Sequence, residues 1–175
     1  MKTLAIVLAG AAFISGCSVF MPVRPIAVAE LKPTQGSNVS GTVTFVQRNG
    51  EVLVDARIKG LTPGPHGFHI HEVGDCSAPD ASSAGGHYNP TRMAHGAPDA
   101  AVHHGGDFGN LVADANGESS LSIGLPLTIG NMAKAGDSAS IIGRAVVVHA
   151  DADDLVSQPA GNSGKRLACG VIALQ

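Results

Sequence analysis

The histidines of this chain are concentrated in one part of the sequence. Seven of the eight lie between His66 and Asp107, and the eighth, His149, ends an apolar run. Histidine is the commonest transition-metal ligand because its neutral imidazole offers a nitrogen of intermediate softness. A single histidine is usually a satisfied core residue or a solvated one, but seven at this density indicate a metal centre.

Two of these histidines have the spacing of neighbours on one face of a β-strand. His69 and His71 are two positions apart, so on a strand both side chains point the same way and can reach one ion. His149 ends a second predicted strand and can supply a third nitrogen. Three or four imidazoles in a flattened arrangement suit Cu(II).

The remaining candidates lie in or next to a long segment without strand pattern, residues 73–101. Three imidazoles and one carboxylate form a closed tetrahedral set that suits Zn(II), and the sequence offers His87, His95, His104 and Asp107. Metal binding would offset the conformational entropy of ordering so long a loop. We expect His66, which strand parity places opposite His69, and His103, which precedes His104, not to be ligands.

Short strands must position these residues. Apolar and polar residues alternate in several short segments, and Asn49-Gly50 and residues 114–117 between them are typical hairpin turns. The predicted strands are residues 39–45, 52–58, 66–71, 110–113, 120–125, 141–148 and 167–173. Residues 151–165 form another loop. Seven or eight short strands, 23 glycines and no long helical pattern indicate an all-β antiparallel barrel or sandwich.

The amino-terminal residues resemble an export signal. Residues 4–14 form an apolar run behind Lys2 that is too short to span a bilayer comfortably. Residues 14–17 (ISGC) resemble a bacterial lipoprotein box, in which the peptidase cuts before the cysteine and the cysteine carries the lipid. We therefore expect a signal peptide at 1–16, a lipidated Cys17 with a tether at 17–37, and a folded domain at 38–175. The alternative is ordinary cleavage nearby, with Cys17 as a bystander.

Five separated motifs carry a family resemblance. Residues 67–71 (GFHIH), 85–90 (GGHYNP), 104–110 (HGGDFGN), 141–149 (IIGRAVVVH) and 161–172 (GNSGKRLACGVI) together resemble copper/zinc superoxide dismutase. The resemblance covers residues 39–175 almost throughout. It implies an eight-stranded antiparallel Greek-key β-barrel or sandwich with long metal-binding and active-site loops.

The resemblance also implies roles for individual residues. Copper would lie on His69, His71, His87 and His149, and zinc on His87, His95, His104 and Asp107, with His87 bridging the two ions as an imidazolate. Arg166 matches the family's active-site arginine. Asp153 matches the carboxylate that links a copper histidine to a zinc histidine. Arg144 lies outside these roles and is expected to be a solvated strand residue.

The resemblance pairs Cys76 with Cys169 in an intrachain disulfide. Two buried thiols are the alternative, but a secreted context favours the bridge. The odd cysteine, Cys17, would then be free to carry the lipid.

The implied activity is dismutation of superoxide to dioxygen and hydrogen peroxide, with one copper and one zinc per subunit. The implied protein is a bacterial, periplasmic lipoprotein that is held on a membrane by Cys17 and can form a homodimer. A formal net charge of −3 argues against nucleic acid as a partner and requires local attraction of the anionic substrate. Lys165 could steer the substrate or be a solvated loop lysine.

Two other classes of protein are alternatives to the interpretation as an enzyme. A metal-binding module without turnover would need neither Arg166 nor a bridging His87. A structural β-domain stabilised by zinc leaves His69, His71 and His149 unexplained.

Overall fold

The computed structural model describes residues 27–48, 51–125 and 140–175. In these ranges the chain forms strands joined by loops, with a single turn of 3₁₀ helix at Ser82–Ala84. No helix in the described ranges is long and apolar enough to cross a membrane. The strands are β1 Ala27–Pro33, β2 Ser40–Arg48, β3 Glu51–Lys59, β4 Gly64–His71, β5 Asp107–Ala113, β6 Glu118–Leu125, β7 Ala145–His149, β8 Arg166–Val171 and β9 Ala173–Leu174.

The strands form an antiparallel, nearly closed barrel. The order of hydrogen-bonded neighbours is β5-β4-β7-β8-β1-β2-β3-β6, and the two-residue β9 pairs with β1. The end strands β5 and β6 lie beside each other without forming a ladder. Consecutive strands β3 and β4 are not neighbours, nor are β6 and β7, so their connections cross the barrel as in a Greek key. This confirms the predicted fold class.

Alternation of side chains explains why β2 and β3 form a stable ladder. Val43 pairs with Ala56 and Phe45 with Val54, and all four side chains are fully buried. The intervening residues of these strands lie on the more exposed face, so one face of the ladder builds the core. The predicted turn at Asn49-Gly50 lies outside the described residues.

The second predicted turn is present between β5 and β6. Gly117 has a positive φ of 77°, and Asp114 Oδ1 accepts the backbone N–H groups of Asn116 and Glu118 at 2.8 and 2.9 Å. Beyond this turn no ladder joins the two strands, because β5 pairs with β4 whereas β6 pairs with β3. The turn prediction is therefore confirmed, but the hairpin ladder that it suggested is not formed.

The structure corrects the prediction of a tether that extends to residue 37. Residues 27–33 form strand β1, which pairs with β2 in the register Ala27 with Phe45 to Leu31 with Gly41. Ala27, Ala29 and Leu31 alternate and are buried, so the folded domain already includes Ala27. The predicted signal peptide and Cys17 lie outside the described residues.

Two strand boundaries also differ from the prediction. Residues 141–144 form a turn in which Gly143 has a φ of 79° and the Arg144 N–H donates to the Ile141 carbonyl at 3.1 Å, so β7 begins at Ala145. The predicted closing strand, residues 167–173, is divided into β8 and β9 by Ile172.

Three neighbouring strands bring together the residues expected to bind metal and substrate. Strand β4 pairs with β7, and β7 pairs with β8, so the ends of these strands lie side by side. The register shifts at His149, which lies opposite Arg166. The long loops 72–106 and 150–165 cover this end of the three strands and contribute the remaining polar side chains.

Candidate metal centre

The first candidate site is a cluster of four buried histidines. His69 and His71 extend from the same face of β4, and His149 ends the adjacent strand β7. His87 comes from the long loop, where an isolated β-bridge pairs it with His71. One ring nitrogen from each residue lies within 4.8 Å of the others. We call His69, His71, His87 and His149 the four-histidine group.

The second candidate site contains three histidines and a carboxylate, and it shares His87 with the first. His87, His95, His104 and Asp107, here called the histidine–aspartate group, also place one ligand atom each within 4.8 Å of the others. Asp107 begins β5, and its Oδ2 accepts the backbone N–H groups of His104 and Gly96 at 2.8 and 3.2 Å. These bonds aim the carboxylate into the group.

Asp153 connects the two groups. Its Oδ2 lies 2.8 Å from His69 Nε2, and its Oδ1 lies 2.9 Å from His95 Nε2. A carboxylate accepts hydrogen bonds, so both rings carry their proton on Nε2 and leave Nδ1 as a lone pair. Asn110 holds the backbone of Asp153 in turn, because its side-chain amide donates to the Asp153 carbonyl at 2.9 Å and accepts from the Asp153 N–H at 2.7 Å.

The unpartnered nitrogens of these rings show that both groups suit metal ions. Buried polar atoms almost always have a hydrogen-bond partner. Four buried ring nitrogens here have none: His69 Nδ1, His87 Nε2, His95 Nδ1 and His104 Nδ1. His95 Nδ1 lies 3.0 Å from Asp107 Oδ2 without hydrogen-bond alignment, which is the arrangement of two atoms that face a common ion.

The other two rings fit the same pattern. His71 Nδ1 donates to the Gly85 carbonyl at 2.9 Å, which leaves its Nε2 as a lone pair. His149 Nδ1 faces the Gly164 carbonyl at 3.4 Å, and its Nε2 lies 3.3 Å from His71 Nε2. Each group therefore presents nitrogens with free lone pairs toward one point.

The electrostatics keep the ligands in their binding forms. Burial lowers the pKa of His69 to about 4, of His149 to about 3 and of His71 to about 2, and nearby histidines add to the effect. These rings are neutral near neutral pH. Burial alone would raise the pKa of Asp107, but hydrogen bonds from His87 and the His104 backbone hold it well below its usual range, so it is a carboxylate.

Arg166 lies beside the four-histidine group. It is the first residue of β8, and its two terminal nitrogens donate to the carbonyls of Ala81 and Gly85, each at 2.6 Å. With His71, His87 and His149 it lines an open cleft of about 380 Å³. The guanidinium is therefore fixed in position and accessible from this cleft.

The predicted disulfide between Cys76 and Cys169 is confirmed. Cys76 lies in the loop that contributes the Ala81 and Gly85 carbonyls, and Cys169 lies three residues after Arg166 on β8. The bridge therefore ties the two hydrogen-bond acceptors to the strand that carries their donor.

The two remaining histidines lie outside both groups. The ring nitrogens of buried His66 lie 2.9 Å from the His149 carbonyl and 2.8 Å from the Thr62 carbonyl. His66 therefore joins the backbone of His149 to the loop before β4. His103 Nδ1 faces the His104 carbonyl at 2.7 Å.

The predictions for the basic residues have different outcomes. The expectation that Arg144 is solvated is wrong: it donates to the carbonyls of Ser140 and Glu72 at 2.6 and 2.7 Å, and its guanidinium lies 4.1 Å over the Tyr88 ring. Sequence pattern could not show the contacts with Glu72 and Tyr88, which come from distant segments. Lys165 is exposed and lines a second cleft together with Arg166.

Three supporting interactions were not anticipated from the sequence. The first is the pair of hydrogen bonds from Arg166 to the carbonyls of Ala81 and Gly85. The others are the hydrogen bonds of the Asn110 amide with the backbone of Asp153 and of the Gln158 amide with the backbone of His95. Backbone carbonyls have no sequence signature. Asn110 ends one of the motifs described above, which was a usable signal, whereas a loop glutamine such as Gln158 carries none.

An antiparallel barrel with two buried candidate metal-binding groups that share one histidine is the arrangement expected of a dinuclear metalloprotein. Comparison with known proteins gives the family. Residues 39–172 match the model of the family copper/zinc superoxide dismutase (SODC). Superoxide dismutase [Cu-Zn] of Paramecium bursaria Chlorella virus 1 is 43% identical over an alignment of 165 positions, which covers 90% of this chain and 82% of the relative. A crystal structure described as the clock protein EA4 superimposes with a TM-score of 0.74 at 37% identity, over 89% of this chain and 98% of the other.

The chain therefore belongs to the copper/zinc superoxide dismutase family. This makes it an oxidoreductase of the superoxide dismutase class, with copper and zinc as its cofactors.

Proposed function

We propose that this protein dismutates superoxide to dioxygen and hydrogen peroxide at a paired site in which His87 serves both metals. Copper is held by the four-histidine group, because a site of imidazoles alone suits copper. Zinc is held by the histidine–aspartate group, because three imidazoles and a carboxylate suit a closed zinc site. The observation that carries the proposal is the membership of His87 in both groups, with its Nε2 unpartnered and its Nδ1 2.8 Å from Asp107.

When bound, copper supplies the one-electron oxidation and reduction, and zinc supplies a fixed positive charge. The protein supplies proton transfer through His87, which lines the cleft. Its Nε2 is the nitrogen that would hold copper; whenever it is not a ligand, it could accept a proton from water in the cleft and pass that proton to reduced substrate. Its Nδ1 points into the histidine–aspartate group, 2.8 Å from Asp107, so zinc held there would keep the ring in place during that exchange.

Arg166 binds and orients the substrate. Superoxide is a small anion, and a guanidinium presents two parallel N–H donors in a fixed fork. Because the Ala81 and Gly85 carbonyls hold this fork at the cleft, orientation costs little entropy when the anion arrives. The chain as a whole is negative, so Arg166 provides the attraction locally.

Reconstitution tests the proposal directly. We expect metal-free protein loaded with copper and zinc to bind one of each per chain and to dismutate superoxide. Stoichiometric binding of both without turnover would instead support the metal-binding module. Binding of zinc alone would support the structural domain.

We further propose that the protein acts in the bacterial cell envelope, in the periplasm, where a lipid on Cys17 anchors it to a membrane and it removes extracytoplasmic superoxide. The support is the signal-like run of residues 4–14, the box at residues 14–17, and the disulfide, which persists best in an oxidising compartment. In a bacterial host, we expect lipid labelling and membrane fractionation to depend on Cys17. Identical fractionation of wild type and Cys17→Ala would refute the anchor.

A further inference from the structure

We propose that Gln158 is a positioning residue that holds the backbone of His95 and thereby slows the loss of zinc. The inference rests on the proposed function in one respect, namely that His95 binds zinc. Gln158 is one of the residues that line the cleft, but its amide bonds to the backbone of His95 and Val156, so its role is to position a ligand rather than to take part in the chemistry.

The backbone of His95 lacks the support that a strand would give it. His95 lies in the long loop between β4 and β5, and it is buried. The Gln158 side chain replaces the missing strand neighbour: its Oε1 accepts the His95 N–H at 2.8 Å, and its Nε2 donates to the His95 carbonyl at 2.9 Å. An unpaired buried backbone group costs free energy, so this two-bond clamp fixes where the residue lies.

The ring of His95 is held by the same loop that holds its backbone. Asp153 accepts from His95 Nε2 at 2.9 Å, and both Asp153 and Gln158 belong to the loop 150–165. The clamp sets the position of the His95 backbone, and the Asp153 contact sets the rotation of the ring. Together they direct His95 Nδ1 toward Asp107 Oδ2, 3.0 Å away.

The geometry makes the effect selective for one metal. The amide of Gln158 bonds to the backbone of His95 and, at 3.2 Å, to the Val156 carbonyl. His95 belongs only to the histidine–aspartate group. Loss of the clamp should therefore loosen zinc, while the four histidines assigned to copper keep their own supports.

The test measures release of each metal from holoprotein that carries both copper and zinc. A chelator is added, and zinc and copper in solution are quantified separately over time for wild type, Gln158→Ala and Gln158→Glu. Val156→Ala is the matched control, since its side chain lies in the same loop and is 72% exposed. The Glu variant keeps an acceptor for the His95 N–H but sets a second acceptor against the His95 carbonyl.

We expect zinc to leave both Gln158 variants about tenfold faster than it leaves Val156→Ala, because Gln158→Ala loses both hydrogen bonds and Gln158→Glu replaces one of them with repulsion between two acceptors. Copper release should stay within about twofold of the control. Cobalt(II) substituted for zinc should show shifted visible absorption bands in Gln158→Ala, which reports changed ligand geometry at that site. Zinc release less than about threefold faster than the control, or equal acceleration of zinc and copper release, would overturn the proposal.

The measurements on wild type distinguish a failure of the positioning role of Gln158 from a failure of the proposed function. If wild type binds both metals and turns over while the Gln158 variants behave like the control, the positioning role fails and the proposed function stands. If wild type binds no zinc, both fail.

Discussion

His71 and Arg166 donate hydrogen bonds to the same acceptor, the carbonyl oxygen of Gly85, at 2.9 and 2.6 Å. One backbone atom therefore sets the separation between a ring of the four-histidine group and the guanidinium that binds the anion. That atom belongs to the loop that the Cys76–Cys169 disulfide ties to β8. Substrate position and ligand position are thus coupled through the loop.

Arg166→Gln should lower the rate of dismutation at low substrate concentration by at least about tenfold, because the local attraction and orientation of the anion are lost. Elemental analysis should show that copper and zinc remain bound. Lys165→Gln is the matched control, since Lys165 is exposed and adjacent, and the change should be several-fold smaller. An Arg166→Gln variant as fast as the Lys165 variant would contradict the role of Arg166.

Removal of the disulfide, as in Cys76→Ser with Cys169→Ser, should lower both stability and turnover. The bridge joins residues 93 positions apart, and chain entropy gives such a crosslink at most roughly 4–5 kcal/mol. Chemical denaturation of the oxidised wild type and the double variant measures the difference in the free energy of unfolding. Because the Ala81 and Gly85 carbonyls would be less firmly held, turnover should also fall. Unchanged turnover would show that Arg166 does not depend on the bridge.

Asp153→Asn should weaken zinc binding by about 10- to 100-fold, since an amide cannot accept from both His69 and His95 as the carboxylate does. Competition against a chelator of known affinity measures this effect. The control is Asp154→Asn, whose side chain is exposed and bonds to the backbone of Val156 and Ser157. Equal zinc affinity in the two variants would exclude the bridging role of Asp153.

Metal-free protein should lose stability as the pH falls from about 6.5 to about 4.5. Unfolded histidines take up protons near pH 6.5, whereas burial lowers the pKa of His69, His149 and His71 in the folded chain to about 4, 3 and 2. The unfolded state thus binds more protons in this window, so the free energy of unfolding decreases with falling pH. Carboxylates begin to titrate at the lower end of this window, so comparison with a histidine variant is needed to isolate the histidine contribution.

Denaturant unfolding of the metal-free protein at several pH values checks this slope. His71→Gln should reduce it, whereas His103→Gln, which changes a histidine outside both groups, should not. A flat profile in wild type would contradict the assigned environment of these rings.

The sequence predicted the parts of this protein that depend on local spacing. The i, i+2 relation of His69 and His71 and the alternation in β2 and β3 follow from strand geometry, and the structure shows both. Strand β1 was missed because its buried positions include two alanines, which give a weak hydrophobic signal. The Gln158 clamp joins residues 63 positions apart, and no local pattern encodes such a contact.

The sharing of His87 is best tested by anomalous diffraction at the copper and zinc absorption edges, using crystals of the fully loaded protein. We predict copper beside His87 Nε2, within the four-histidine group, and zinc beside Nδ1, within the histidine–aspartate group. Contact between this ring and a single ion, or with none, would contradict the proposed site.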